Sequence, residues 1–216
     1  MAAAVPLATA RELPRRERRK LEIRTRILES AGALFEEHGC RATTVVEICA
    51  QADVAKTSFF NHFPSKQDLL CTLAVTVFDR LVADVEGAAD DNANTAEALQ
   101  TFFAAVAAEM AAAGPTAREF TSELIRATQD AGFESGESKR LNTAFEALVH
   151  QGRRRGEITA PYGDDTLGEM ISAVYYGLVT AWIQNNDYAI ERKAADAAHF
   201  LADAITTKKE HSNGST

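Results

Sequence analysis

The run from Thr44 to Lys66, TVVEICAQADVAKTSFFNHFPSK, constrains the fold more than any other part of the chain. It divides into two short helices joined by a tight turn, followed by a proline break and a new helix start. Thr44 and Glu47 form a T-x-x-E capping box, which starts one helix at Val45 and carries it to about Ala52 with Ile48 facing inward. Asp53 occupies the turn, and Val54 plugs the angle between the helices. The next helix spans Lys56 to His62, with Phe59 and Phe63 as core anchors. Pro64 stops it, and Ser65 caps the helix that follows. A helix pair of this size buries too little surface to be stable alone, but it fits a DNA major groove.

Charge distribution supports that reading where total charge does not. The 216-residue chain is 46% hydrophobic, enough for a sizeable core in one or two domains, and its net charge is −8. Residues 1–66 carry eleven Lys/Arg against eight Asp/Glu, hence +3, while the remainder carries twelve against twenty-three, hence −11. A basic head on an acidic body is the pattern that steers DNA to one end of a molecule. Within RRERRK, Arg15, Arg16, Arg18 and Arg19 are expected to act as a flexible minor-groove or backbone arm, or as a nonspecific electrostatic tail.

The remaining composition narrows the class. Cys40, Cys49 and Cys71 have no metal-knuckle spacing and read as reduced, mostly buried thiols of a cytosolic protein. MAAAVPLATA lacks a basic n-region, so an unstructured tail is expected rather than a signal peptide. No apolar run approaches the ~20 residues needed to cross a bilayer, so a cytoplasmic protein without a membrane partner is expected. There is no Gly-rich phosphate loop, H-E-x-x-H or C-x-x-C, and the five histidines are scattered. No catalytic residue, metal site or cofactor is therefore assigned.

Strand signals are nearly absent, and Ala-rich 3.6-residue periodicity dominates, so the chain reads as all-α. The first helix carries Ile23, Ile27, Leu34 and Phe35 on one stripe and ends at His38-Gly39 with a left-handed glycine cap. The expected organisation is a basic tail at 1–17, a three-helix DNA-binding domain at 18–64, a helical body with a dimerisation face at 65–207, and a tail at 208–216. A long helix from Ser65 connects head to body, and others follow at about 95–112, 116–130 and 137–155. Segments 164–185 and 188–207 have wide apolar faces, which points to a four-helix homodimer interface built from Ile171, Val174, Leu178, Trp182, Ala194, Ala198 and Leu201. The competing reading is that these residues cover the monomer core.

The basic first helix ending in glycine, followed by ATTVVEICAQADVAKTSFFNHFPSKQDLL, resembles the N-terminal domain of TetR-family transcriptional regulators. GRRRGEI at 152–158 resembles a recurrent piece of that family's C-terminal domain. Three residues depart from the pattern: Asp53 where glycine is usual, Ala55 in place of a small hydroxyl cap, and Phe60 in place of tyrosine. The resemblance implies that the third helix enters the major groove. Lys56, Thr57, Phe60 and Asn61 then meet bases, while Thr44, Ser58, His62 and Lys66 meet phosphates. It also implies a repressor that binds a pseudo-palindromic double-stranded DNA operator as a homodimer and is released by a small-molecule effector.

Candidate lining for a mainly apolar effector pocket is Phe78, Phe102, Phe103, Phe120, Leu124, Thr128, Phe145, Tyr175 and Tyr176, although aromatics at helical spacing also make plain core. The alternative function is a helical small-molecule-binding or sequestering protein whose helix pair no longer binds specific DNA.

Overall fold

The computed structural model describes residues 14–130 and 134–206, and these form nine α-helices. In chain order they are α1 (Arg15–His38), α2 (Val45–Gln51), α3 (Lys56–His62), α4 (Lys66–Asp91) and α5 (Thr95–Ala112). They continue with α6 (Ala117–Asp130), α7 (Glu134–Arg154), α8 (Asp164–Gln184) and α9 (Ile190–Ile205). The all-α class is as expected; the only β-type pairing among the described residues is an isolated antiparallel bridge between Ile158 and Thr206. No described helix is long and apolar enough to cross a membrane.

The helices assemble into two compact units, and the division differs from the expected boundary at residue 64. One unit comprises the described residues of Met1–Arg80 with Ala113–Ser135; the other comprises those of Leu81–Ala112 with Gly136–Thr216. α6 therefore packs with the head rather than with the rest of the body. Its Phe120, Leu124 and Ala127 recur at helical spacing and close onto the core that holds Phe35, Phe59 and Phe63. Phe120 and Leu124 are expected from sequence in an effector pocket but join this core instead.

In the first unit, Ile27, Ala31, Leu34 and Phe35 of α1 meet Ile48 of α2, Phe59 of α3 and Leu69 and Leu70 of α4. α1 ends as its Gly39 N–H donates to the Phe35 carbonyl at 3.0 Å. Gly39 has φ 84° and ψ 157°, a region open essentially to glycine, rather than the left-handed helical cap expected. A Cβ there would lie 2.8 Å from Glu119 Oε2, the end of a side chain that can rotate away, so it is the backbone conformation that holds this position to glycine.

The second unit is organised by aromatic rings. Phe102 packs edge-on against Phe103 at 5.4 Å and Phe145 at 5.1 Å, and Tyr175 lies 6.0 Å away. α5 and α9 approach closely because buried alanines line both: Ala98 and Ala107 on one, Ala194, Ala198 and Ala202 on the other. Gly168 lets α8 approach α7, since a Cβ at 168 would lie 2.8 Å from the Glu146 backbone nitrogen and 2.9 Å from the Asn142 carbonyl. These neighbours are backbone and cannot rotate away. Gly168→Ala should therefore destabilise the protein by about 1–3 kcal/mol. Gly87→Ala, with nothing within 4 Å of the new methyl, should stabilise it by about 0.5–1 kcal/mol in the same urea titration.

Candidate nucleic-acid interface

α2 begins as the sequence implies. The Thr44 hydroxyl accepts from the Glu47 N–H at 3.3 Å, and the Glu47 carboxylate accepts from the Thr44 N–H at 2.7 Å and from the Thr44 hydroxyl at 2.8 Å. The bond from the Thr44 backbone, then the one from its side chain, holds the Glu47 carboxyl below its usual range. This occupies the Thr44 hydroxyl as donor and acceptor, so its expected phosphate contact gives way to a capping role.

The turn follows at Asp53, whose φ of 50° makes it the one non-glycine residue with positive φ among those described. Val54 N–H then donates to Cys49 O at 3.0 Å, and Val54 packs against the core. Ala55 at the N-cap of α3 makes no side-chain cap, yet the helix forms over seven residues. Its orientation comes from burial: Phe59 and Phe63 are fully enclosed and lie 5.9 Å apart.

With those rings inward, Lys56, Thr57, Phe60 and Asn61 share the solvent face of α3. Phe60 is 43% exposed, and Lys56 Nζ lies 6.0 Å from its ring centroid. The four expected base-contacting residues are therefore brought together. On α2, Val46 is 61% exposed, and the apolar pattern alone did not single it out.

The expected phosphate set is less uniform. Ser58 is half-buried on α3. The Lys66 ammonium donates to the carbonyls of Cys40 and of Thr43, the latter at 2.7 Å, and lies 5.5 Å from the Phe35 ring. It is a clamp between α4 and the loop after α1, not the free phosphate ligand expected. Half-buried His62 is likewise redirected. Its Nδ1 is buried without a hydrogen-bond partner, and burial, then Lys20 and Arg24, hold the imidazole below its ordinary pKa. The expected phosphate contact at His62 thus competes with partial burial of the ring.

Arg15, Arg16, Arg18 and Arg19 lie in the first turns of α1, anchored as Glu17 and Arg18 N–H donate to Pro14 O at 2.9 and 3.1 Å. The expected flexible arm is thus helical over these residues. The expected tails at 1–17 and 208–216 fall largely outside the described residues.

Two structural devices escaped sequence reading. Arg24 donates to His62 O and Thr72 Oγ1, both at 3.2 Å, with its guanidinium 4.4 Å from the Phe63 ring centroid. Buried Glu123 of α6 accepts from Arg126 at 2.6 and 3.0 Å and from Arg41 Nε at 3.2 Å, while the Arg41 N–H donates to Glu119 at 2.9 Å. An arginine in a basic helix carries no sequence mark separating a groove contact from a carbonyl tie. All three cysteines are buried thiols outside any disulfide, and burial pushes the Cys40 thiol up to about 12.

The proposed pocket residues divide between the units. Phe102, Phe103 and Phe145 are fully buried, Phe102 packing edge-on against the other two, and Tyr176 lies 5.3 Å from Tyr175. Phe120 stacks 5.7 Å from Phe35, Leu124 belongs to the head's core, and Phe78 is half-buried. The side chain of Thr128 lies outside the described residues. The described cleft in the second unit has a volume of about 340 Å³ and lies between α5 and α9, with Ala104, Ala107 and Ala108 facing Glu191, Ala195 and His199. Most of the expected lining is therefore core, because neighbouring rings satisfy one another without leaving space.

The expected dimer residues are similarly turned inward. Ile171, Leu178, Trp182, Ala194, Ala198 and Leu201 are buried within the chain, and Val174 is half-buried. The outward surfaces of α8 and α9 carry Met170, Ala173, Gly177 and Thr180, and Phe200 at 67% exposure.

Residues 27–71 match the family described as bacterial regulatory proteins, tetR family. The match runs from α1 to the start of α4, so the similarity to this family lies in the head of the chain. Over 82 residues it is 39% identical to the HTH-type transcriptional repressor KstR2 of Mycobacterium tuberculosis, covering 38% of this chain and 41% of that repressor. The chain thus spans about two-fifths of the length of the KstR2 relatives it matches. It is 25% identical over 164 residues to the HTH-type transcriptional repressor DhaR of Mycobacterium sp. strain GP1, covering 73% of this chain and 80% of that one. The structure of SmeT, a Stenotrophomonas maltophilia repressor, in complex with triclosan shares the fold. Its TM-score is 0.66 at 18% identity, covering 87% of this chain and 93% of SmeT.

In this head, two residues invite direct tests. Asp53→Gly should raise stability by about 0.5 kcal/mol, because relief at positive φ outweighs the added chain entropy, whereas Asp53→Val should lower it by about 1–2 kcal/mol. The hydrogen bonds from Arg126 hold the Glu123 pKa below the ordinary value of 4.5 against the opposing effect of burial. A lowered carboxyl pKa gives stability that is present above the ordinary value and lost as pH falls through the folded one. Glu123→Gln should cost about 2 kcal/mol at pH 7 and flatten the acid limb of the stability–pH curve below about pH 5. Urea titrations across pH check both outcomes.

Proposed function

We propose that the chain is a ligand-responsive transcriptional repressor that binds a pseudo-palindromic operator as a homodimer. The observation that carries this reading is the outward set Lys56, Thr57, Phe60 and Asn61 on a helix whose opposite side is fixed by Phe59 and Phe63. Lys56 can donate to a guanine edge, Thr57 can meet a base through its hydroxyl or methyl, and Asn61 can pair bidentately with adenine. Ser58 and the arginines at the start of α1 supply phosphate contacts that hold register without reading sequence. The names of KstR2 and DhaR, both repressors, support the sign of regulation.

A two-fold protein presents two α3 helices to two half-sites. The surface we assign to that symmetry is the outward face of α8 and α9, centred on Met170, Gly177 and Phe200, because the wider apolar faces are already used in the chain's own core. For the effector we assign a small, mainly apolar molecule, a class supported by the binding of triclosan to SmeT. The alternative of a sequestering protein without specific DNA binding requires Asp53, Ala55 and Phe60 to spoil the helix pair. Both short helices form with these residues in place, which favours the regulator.

Fluorescence anisotropy with DNA from the protein's own upstream region, against scrambled duplex of equal length, tests the reading across a salt series. Tight binding to the native duplex alone at about 150 mM salt is expected, with affinity falling steeply as salt rises. Equal, salt-labile binding to both duplexes would count against it. Phe200→Glu should shift the protein toward monomer in analytical ultracentrifugation and weaken operator binding at least about tenfold, since it desolvates two like charges across a two-fold axis. A variant that stays dimeric would place the interface elsewhere.

A further inference from the structure

We infer that the head reads a guanine–thymine step in the major groove, with Lys56 on the guanine edge and Phe60 over the methyl of the neighbouring thymine. This rests on the assignment of α3 as the groove helix. Lys56 and Phe60 are one helical turn apart, both exposed, and the Lys56 ammonium lies 6.0 Å from the Phe60 ring centroid. Behind it, the buried Phe59 ring meets Phe60 edge-on at 5.3 Å and steadies it against the core.

A phenyl ring offers no hydrogen bond to a phosphate or a base. What it gains in the groove is burial against an apolar group, and the thymine methyl is the one such group on the major-groove edges of the four bases. The attraction of the ring face for the ammonium keeps Lys56 beside Phe60. Stacked bases are about 3.4 Å apart, so an ammonium held beside that ring reaches the adjoining base in preference to a distant one. Guanine presents two acceptors, N7 and O6, where adenine sets a donor beside its single acceptor, so an all-donor ammonium favours guanine.

The test uses the full-length protein and the duplex it enriches from a random-sequence pool. Each thymine is replaced in turn by deoxyuracil, which lacks only the methyl, and each guanine by 7-deazaguanine, which lacks the N7 acceptor. Wild type should lose about fourfold in affinity at one thymine per half-site and about tenfold at the adjoining guanine.

Phe60→Ala should bind the thymine and uracil duplexes equally, while Phe60→Tyr, which keeps the ring, should retain the preference. Lys56→Ala should lose the 7-deazaguanine effect and keep the uracil effect. Circular-dichroism melts establish that each variant is folded. Silent scans on a specifically bound duplex, a uracil effect that survives in Phe60→Ala, or sensitive bases that are not neighbours would overturn the inference alone. A pool that yields no enriched duplex would remove the regulator reading and this inference with it.

Discussion

The enclosure of Phe59 and Phe63 is the constraint on which the DNA-facing surface depends. A helix of seven residues is too short to hold its shape or heading by backbone hydrogen bonds alone, because nucleation is unfavourable and few bonds follow it. Two fully buried rings, packed into a core with Ile27, Phe35 and Ile48, supply what the short helix lacks. They determine which side of α3 faces away, and that side carries Lys56, Thr57, Phe60 and Asn61. The missing cap at Ala55 and the positive φ at Asp53 are tolerable for the same reason: packing outweighs local preferences worth about 1–2 kcal/mol.

Charge in the head then sorts into two kinds. Lys66, Arg24 and Arg41 hold carbonyls, a hydroxyl and a carboxylate where the chain changes direction, in partly buried hydrogen bonds. Lys56 and the arginines of the first turns of α1 remain at the surface, where they can act on a phosphate backbone. Counting basic residues in the head therefore overstates the charge available to DNA. The buried Glu123 shows the same economy from the acidic side. Its carboxylate is held by Arg126 and Arg41, so α6 is pinned to the loop after α1 by paired charges rather than by shape alone.

Local punctuation was legible in the sequence, and facing was not. The capping box at Thr44, the break at Pro64 and the glycine at 39 act through backbone groups within a few residues, so they mark helix ends without tertiary context. Phe59 and Phe63 were readable as anchors because a short helix has few other residues to bury. In α8, by contrast, the periodicity correctly identified Ile171, Leu178 and Trp182 as one apolar stripe, but a stripe does not say whether its partner is the same chain or another. The core took that stripe, leaving Met170, Ala173 and Gly177 outward. The same ambiguity moved Phe102 and Phe145 from an expected pocket into a packed cluster, and moved α6 from the body into the first unit.

The GRRRGEI run shows how a charge motif can be largely structural. Gly152 stands where a Cβ would lie 2.1 Å from Thr95 Oγ1, and Gly156 takes a φ of 75° to turn the chain out of α7. That turn delivers Glu157 to the start of α5, where its carboxylate accepts from the Thr95 N–H at 2.8 Å and hydroxyl at 2.7 Å. Arg155 braces the carboxylate at 2.8 Å. Arg153 reaches the other way, to Asp164 at 2.6 Å and the Tyr162 carbonyl at 2.7 Å, fixing the start of α8. Two of the three adjacent arginines are thus engaged in joining helix ends, each meeting a carboxylate at a helix N-terminus where the helix dipole also favours negative charge. A run of three arginines elsewhere would read as a nucleic-acid patch. Here the glycines on either side are the better guide, because they mark close approach and a turn, and the arginines serve the junction those glycines make.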